Sequence, residues 1–220
     1  MLIRCSTILL LLLGSLRIAV AQNVPDDEDI QSWNDIQLTA AMSKHIDFQT
    51  KVTGRFGKNV TRLNDGRYHF GFVFKPHKSF SFQPFFWFIR ARNTAGRFRT
   101  EHRLNLQASY KFPIKRFGFS HRSTLERRLR AAGNTWRYRA SLTLEKDLPE
   151  KLIHGAKVFV GDEVFYDSAT DKFSRNRFSA GINKTLGKKL AADIYYMRQN
   201  DGFAHPGDLN VIWTALRIKL

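Results

Sequence analysis

The chain has 220 residues, a formal net charge of +17 at pH 7 and a mean hydropathy of −0.36. Such a hydropathy excludes a bundle of membrane-spanning helices, but it allows a membrane β-barrel, whose strands carry a polar residue at every second position. The one cysteine, Cys5, lies close to the amino terminus. The remainder of the chain therefore forms no disulfide and no thiolate metal site.

The amino-terminal segment has the pattern of a secretory signal peptide. Arg4 precedes an apolar run over residues 8–13, and Ala19, Val20 and Ala21 supply a small–x–small cleavage pattern. The run is shorter than the ~20 apolar residues that a membrane-spanning helix needs. We therefore predict a cleaved signal peptide over residues 1–21, an acidic leader over residues 22–31 and a single β-barrel domain over residues 32–220.

The strongly basic composition narrows the choice of partners. Nucleic acid is the usual partner of so basic a protein, but export of the chain argues against it. The acidic partners that remain are outer-membrane lipid, the phosphates of lipopolysaccharide and small anionic solutes. We also expect the barrel-assembly machinery to act as a partner during insertion.

From Trp33 onward, apolar and polar residues alternate with a period of two, which indicates β-strands. In the clearest case, Phe48, Val52 and Phe56 fall on one face, and Lys51 and Arg55 fall on the other. The predicted strands cover residues 33–42, 46–56, 67–75, 80–91, 101–112, 116–130, 137–146, 156–166, 177–186, 189–199 and 208–220.

Short turns and longer polar loops alternate between these segments, which is typical of outer-membrane barrels. The sequence thus predicts an all-β fold: a single up-and-down antiparallel transmembrane β-barrel of about 10–12 strands. Single-chain bacterial barrels have an even number of strands. The eleven segments therefore become ten if the first is not a barrel strand, or twelve if residues near Asp29 add one. A soluble barrel with an aromatic core, of the lipocalin kind, is the alternative.

Seven short segments, in order over nearly the whole predicted mature chain, carry a family resemblance. They read WNDIQL (33–38), EHRL (101–104), TLERR (124–128), RYR (137–139), EVF (163–165), RFSAG (177–181) and YMRQ (196–199). The series resembles an uncharacterised bacterial family known as domain of unknown function 2490, whose members are described as outer-membrane β-barrel-like. The resemblance implies a barrel in the outer membrane of a Gram-negative envelope, and it implies no activity.

Charged residues recur on the strand faces that we predict to point into the barrel. Inside a barrel such charges must be paired or hydrated. The candidate lumen network consists of Glu101, Arg103, Arg122, Glu126, Arg128, Arg137, Arg139, Glu145, Glu163 and Arg177.

A turn at residues 113–116 predicts the pairing of these charges across neighbouring strands. It places Glu101 opposite Arg128 and Arg103 opposite Glu126. The next connection places Arg128 opposite Arg139 and Arg122 opposite Glu145. Glu163 and Arg177 meet across the loop that follows residue 166.

These charges have two interpretations, a basic path for anionic solutes or a structural network that fills a closed barrel. Small barrels of ~8 strands are filled by side chains, whereas those of 16–18 leave a channel. The sequence contains no nucleophile elbow, zinc-protease motif or phosphate loop, and no metal-ligand spacing. His69 is the one histidine predicted to point inward, and no Ser or Asp stands at a telling spacing to it.

We therefore predict a non-enzymatic protein without a cofactor, porin-like in kind. An envelope hydrolase acting on lipid or peptide and a soluble periplasmic binding barrel are the alternatives.

Overall fold

The computed structural model describes residues 28–220. The predicted signal peptide lies outside the described residues. The strands are β1 (Glu28–Ala41), β2 (Ile46–Gly57), β3 (Arg62–His77), β4 (Phe80–Arg92), β5 (Phe98–Phe112), β6 (Gly118–Arg130), β7 (Thr135–Asp147), β8 (Ala156–Asp167), β9 (Lys172–Thr185), β10 (Leu190–Asp201) and β11 (Asp208–Lys219). No helix in residues 28–220 is long and apolar enough to cross a membrane.

The eleven strands form one closed barrel in which each strand pairs antiparallel with its neighbours in sequence. This confirms the predicted all-β barrel and its range of strand number. The count is neither ten nor twelve, because β1 and β11 close the barrel as a parallel pair that runs from Glu28↔Asp208 to Thr39↔Lys219. Only antiparallel closure demands an even number of strands, so a parallel seam permits eleven.

The first strand begins earlier than the sequence indicated. β1 starts at Glu28, so the predicted leader of residues 22–31 overlaps it by four residues. Asp29 is 8% exposed and accepts the backbone amides of Lys58 and Asn59 at 3.0 and 2.8 Å. In the sequence, an acidic run indicates a solvated leader, because polar residues usually face water. In this barrel the polar face of the strand points into the interior.

The connections at the two ends of the barrel are similar in length, so the predicted alternation of short turns and long loops is wrong. The end that holds Glu28, here the N-terminal end, carries residues 58–61, 93–97, 131–134, 168–171 and 202–207. The end that holds Leu220, here the C-terminal end, carries residues 42–45, 78–79, 113–117, 148–155 and 186–189. Polar residues that were assigned to loops extend the strands at the N-terminal end instead.

The strands turn their apolar faces outward. Five apolar residues are each more than half exposed, and all have even residue numbers: Ile36, Tyr68, Phe70, Leu104 and Ile194. The residues with odd numbers in the same strands point inward and are largely polar. This is the arrangement of a transmembrane barrel, whose outer surface faces hydrocarbon. It is the reverse of a lipocalin-like barrel, so the structure speaks against that alternative.

Candidate functional site: the lumen

Strand alternation brings all ten residues of the candidate lumen network to the interior. Seven line the main cavity: Arg103, Arg122, Arg137, Arg139, Glu145, Glu163 and Arg177. The other three, Glu101, Glu126 and Arg128, are held in ion pairs with arginine or carboxylate partners in the interior.

The register between β5 and β6 differs from the predicted one by two residues. Arg103 lies opposite Arg128, and Glu126 lies opposite Asn105. Six residues, 113–118, lie between the paired Phe112 and Phe119, two more than in the turn assumed from the sequence. A shift of two leaves every side chain on its predicted face. Diagonal contacts therefore still join Arg128 to Glu101 at 2.6 Å and Arg103 to Glu126 at 3.4 Å.

The register between β6 and β7 differs by four residues, because the pair next to the loop is Arg128↔Thr135 rather than residues 130 and 137. Arg128 lies opposite Thr135, and Arg122 lies opposite Ser141. The predicted oppositions of Arg128 to Arg139 and of Arg122 to Glu145 are therefore wrong. Glu163 does lie opposite Arg177 across β8 and β9.

Two buried glutamates each bind several arginines. Glu126, whose side chain is 1% exposed, accepts Arg139 at 2.8 Å and Arg103 at 3.4 Å. Glu163 accepts Arg139 at 2.8 Å and Arg122 at 3.0 Å, and Arg177 lies 3.9 Å from its second oxygen. Charge-assisted bonds of this kind hold the planar guanidinium groups in fixed orientations.

Sequence reasoning missed further members of the same network. Asp167 accepts Arg137 at 2.9 Å and Arg128 at 3.1 Å. Arg175 pairs with Asp201, its Nε lying 2.6 Å from Oδ2, and Arg67 pairs with Asp65 on the same strand. Asp65, Asp167, Arg175 and Asp201 had been assigned to loops, although each has the inward parity of its neighbours. Continuing the period-two pattern past the apolar residues would have found them.

Arginines outnumber carboxylates in this connected set, here called the arginine network. The set holds nine guanidinium groups, of which all but Arg55 are paired within residues 28–220, and six carboxylates, a surplus of three positive charges. The arginines are Arg55, Arg67, Arg103, Arg122, Arg128, Arg137, Arg139, Arg175 and Arg177. The carboxylates are Asp65, Glu101, Glu126, Glu163, Asp167 and Asp201.

Aromatic rings follow one side of the barrel wall. Trp33, Trp213, Tyr195 and Phe159 contact one another in that order, with ring centroids 4.8, 5.2 and 5.4 Å apart. Gly181 lies opposite both Tyr195 and Phe159, and a Cβ there would stand 2.1 Å from Tyr195 Cβ. The glycine thus makes the space in which this aromatic row packs.

The two halves of the lumen are filled to different extents. Trp33, Met197, Leu209 and Val211 form an apolar cluster, each no more than 7% exposed, in the half toward the N-terminal end. The buried carboxylates of the arginine network lie in the same half. A cavity of about 720 Å³ adjoins this filled half, and eleven Lys and Arg residues line it against five Asp and Glu.

The environment of His69 bears on the hydrolase alternative. Its ring is 4% exposed and packs against Phe85 and Trp87 at 4.8 and 5.0 Å. Its Nδ1 has no hydrogen-bond partner in residues 28–220, so no described carboxylate orients it as a general base. Over the same residues, no group of His, Cys, Asp and Glu has the geometry to hold a metal ion.

A family model described as a protein of unknown function, DUF2490, matches residues 30–210. The chain belongs to the DUF2490 family. The match confirms the resemblance seen in the sequence and covers β1 to the start of β11. No curated protein matches this DUF2490 chain.

Solved structures share its fold at low sequence identity. The NanC porin is 10% identical with a TM-score of 0.51, over 86% of this chain and 96% of that one. LpxR from Salmonella typhimurium is also 10% identical with a TM-score of 0.51, over 79% of this chain and 83% of that one. The KdgM porin aligns over 80% of this chain and 92% of its own, at 11% identity and a TM-score of 0.47. At 10% identity, the matches to the NanC porin and LpxR establish the porin-like barrel fold of this DUF2490 protein and no residue role.

Proposed function

We propose that this protein is a non-enzymatic outer-membrane barrel of the porin kind whose lumen admits anionic solutes. The observation that carries the proposal is the charge of the cavity wall, eleven Lys and Arg against five Asp and Glu. A lumen lined by one sign of charge raises the local concentration of the opposite ion, because low-dielectric walls focus the field.

The path through the barrel is narrow. Eleven strands lie between the ~8 whose interior side chains fill and the 16–18 that leave an aqueous channel. In keeping with this, the half of the lumen toward the N-terminal end holds an apolar cluster and buried ion pairs, whereas the cavity is lined largely by polar groups. The filled half limits passage, and the cavity attracts the solute.

The outer surface supports a place in a bilayer. Exposed apolar side chains such as Ile36 on β1, Tyr68 on β3 and Ile194 on β10 alternate with inward residues, most of them polar. Together with the predicted cleaved signal peptide, such a surface supports an outer-membrane location, where the protein would contact lipid and lipopolysaccharide after insertion by the barrel-assembly machinery. The mature chain should fractionate with the outer membrane, and heating should change its mobility on a denaturing gel. Recovery as a soluble periplasmic protein without detergent would overturn this placement.

Planar-bilayer recording tests the solute preference. In a potassium chloride gradient, the purified barrel should give current steps whose reversal potential has the sign expected for chloride. Cation-selective steps would overturn the proposal. Silence at all voltages would favour a second candidate, a closed structural barrel, for which the filled half of the lumen is the supporting observation.

A further inference from the structure

We infer that the lumen contains a binding site for a multivalent oxyanion, built where the arginine network meets the cavity. The inference deepens the proposed function and rests on it, because the ligand is a solute that enters the lumen. Two independent observations support it, the charge balance of the network and the unpartnered nitrogen atoms of residues that line the cavity.

The charge balance points to more than one negative charge on the ligand. Arg122, Arg139 and Arg177 all approach the single carboxylate of Glu163, at 3.0, 2.8 and 3.9 Å. Arg139 shares its other carboxylate, Glu126, with Arg103. One carboxylate cannot neutralise three guanidinium groups, and charges withdrawn from water need compensation. The surplus of three over the whole network favours a multivalent partner over a single halide.

Aromatic contacts bring a fourth arginine to this cluster. The Cζ atom of Arg177 lies 5.1 Å from the ring centroid of Trp33, and that of Arg55 lies 3.4 Å from the same ring. Arg55 is 8% exposed and has no carboxylate at ion-pair distance among the described side chains. Cation–π contact orients such a guanidinium but leaves its in-plane N–H groups to other acceptors.

The unpartnered polar atoms identify the same place. Residues 28–220 contain seven buried side-chain polar atoms without a hydrogen-bond partner. Five of them belong to residues that line the cavity, and all five are nitrogen: the Nε atoms of Arg55, Arg122 and Arg217, Trp213 Nε1 and His69 Nδ1. Four are obligate donors, and His69 Nδ1 donates in one tautomer. Donors rather than acceptors are thus left without partners along the cavity, which favours an acceptor-rich ligand over a cation.

The chemistry of the donors selects an oxyanion. A guanidinium presents parallel N–H groups that match two oxygens of a phosphate or carboxylate, a geometry that a spherical halide does not use. The cavity of about 720 Å³ is within the size range of small-molecule sites. The ligand class is therefore a compact, oxygen-rich anion carrying two or more charges.

Pyrophosphate is the probe, with the mature barrel in non-ionic detergent and in a planar bilayer. At equal ionic strength, pyrophosphate should raise the unfolding temperature above its value in chloride and should block the chloride current saturably. Equal effects of pyrophosphate and chloride on the wild-type barrel would overturn the inference.

A matched pair of variants locates the site. The side chains of Arg122 and Glu145 both line the cavity and are 42% and 43% exposed, and replacing Arg122 removes only one of the three arginines around Glu163. Arg122→Gln should weaken pyrophosphate binding roughly tenfold, as expected for one lost charged hydrogen bond. Glu145→Gln should leave it unchanged or tighten it. Equal weakening by both would sink the site, and Arg217→Gln serves as a second loss variant.

The two levels of the proposal fail separately. Anion-selective current without any specific effect of pyrophosphate would remove the binding site and leave the proposed function in place. Pyrophosphate stabilisation of a barrel that passes no anions would keep the site and overturn the transport role.

Discussion

The half of the lumen toward the N-terminal end and the half toward the C-terminal end use the same residue types to different effect. The side chains of Glu126, Asp167 and Asp201 are 1–7% exposed in the first half. Those of Glu145 and Lys157, toward the C-terminal end, are 43% and 42% exposed. An ion pair withdrawn from water is costly to break, whereas a hydrated pair contributes little. The same alternation of residues thus builds a filled half with ion pairs withdrawn from water and a second half with hydrated ion pairs.

The largest expected loss of stability comes from removing the carboxylate of Glu126 in the filled half. Glu126→Gln leaves Arg103 and Arg139 without their shared carboxylate, and loss of one partner of a buried pair costs about 3–5 kcal/mol. The unfolding midpoint in detergent, measured with urea, should fall markedly. Glu145→Gln is the control and should change stability by about 0–1 kcal/mol. Similar losses from both variants would show that the two halves do not differ in hydration.

A smaller loss of stability is expected from crowding the aromatic row, which consists of Trp33, Trp213, Tyr195 and Phe159. Gly181→Ala places a Cβ 2.1 Å from Tyr195 Cβ and 2.5 Å from the carbonyl oxygen of Ile194. Overpacking of this kind typically costs about 1–3 kcal/mol. Gly66→Ala is the matched control, because nothing lies within 4 Å of the added atom. An unfolding midpoint unchanged in both variants would mean that Tyr195 does not depend on this space.

The smallest effect on stability, yet a measurable effect on ions, is expected at the C-terminal end. Glu145 and Lys157 face each other at 3.5 Å, and both line the cavity. Glu145→Gln should shift the reversal potential toward anions, and Lys157→Gln should shift it away. Both shifts should shrink between 0.1 M and 1 M salt, because the Debye length falls from about 10 Å to 3 Å. Shifts of the same sign would contradict a field set by these charges.

The sequence was sufficient to predict the inward face of the strands but not their registers. Parity follows from alternation, since a polar residue at every second position can point only toward the lumen when the outside is apolar. Registers depend on where each strand ends, and two residues more between the last paired residues of β5 and β6 moved Glu101 from opposite Arg128 to opposite Arg130. The lengths of hairpin connections are not encoded in alternation.

The carboxylates that the sequence analysis missed occupy similar positions near the ends of their strands. Asp65, Asp167 and Asp201 lie where apolar outward residues give way to polar ones, which on sequence marks a loop. In this barrel the strands extend into that polar zone because Asp167 and Asp201 bind arginines of neighbouring strands and Asp65 binds Arg67 of its own strand. For Asp167 and Asp201, such pairings are contacts between distant segments, so a reading of one segment at a time overlooks them. The eleven segments counted in the sequence were reduced to ten or raised to twelve for the same reason, since an odd count depends on pairing β1 parallel with β11.

The parallel pairing of β1 with β11 also determines on which rims of the barrel the two ends of the strand set lie. Glu28 and Lys219 lie on opposite rims, whereas an even-numbered antiparallel barrel returns both ends of its strand set to one rim. If the rim with Lys219 stays in the compartment from which the chain inserts, the start of β1 must cross the bilayer together with five hairpin connections. Insertion of this barrel therefore includes the translocation of a strand end, a step that an even-numbered barrel avoids.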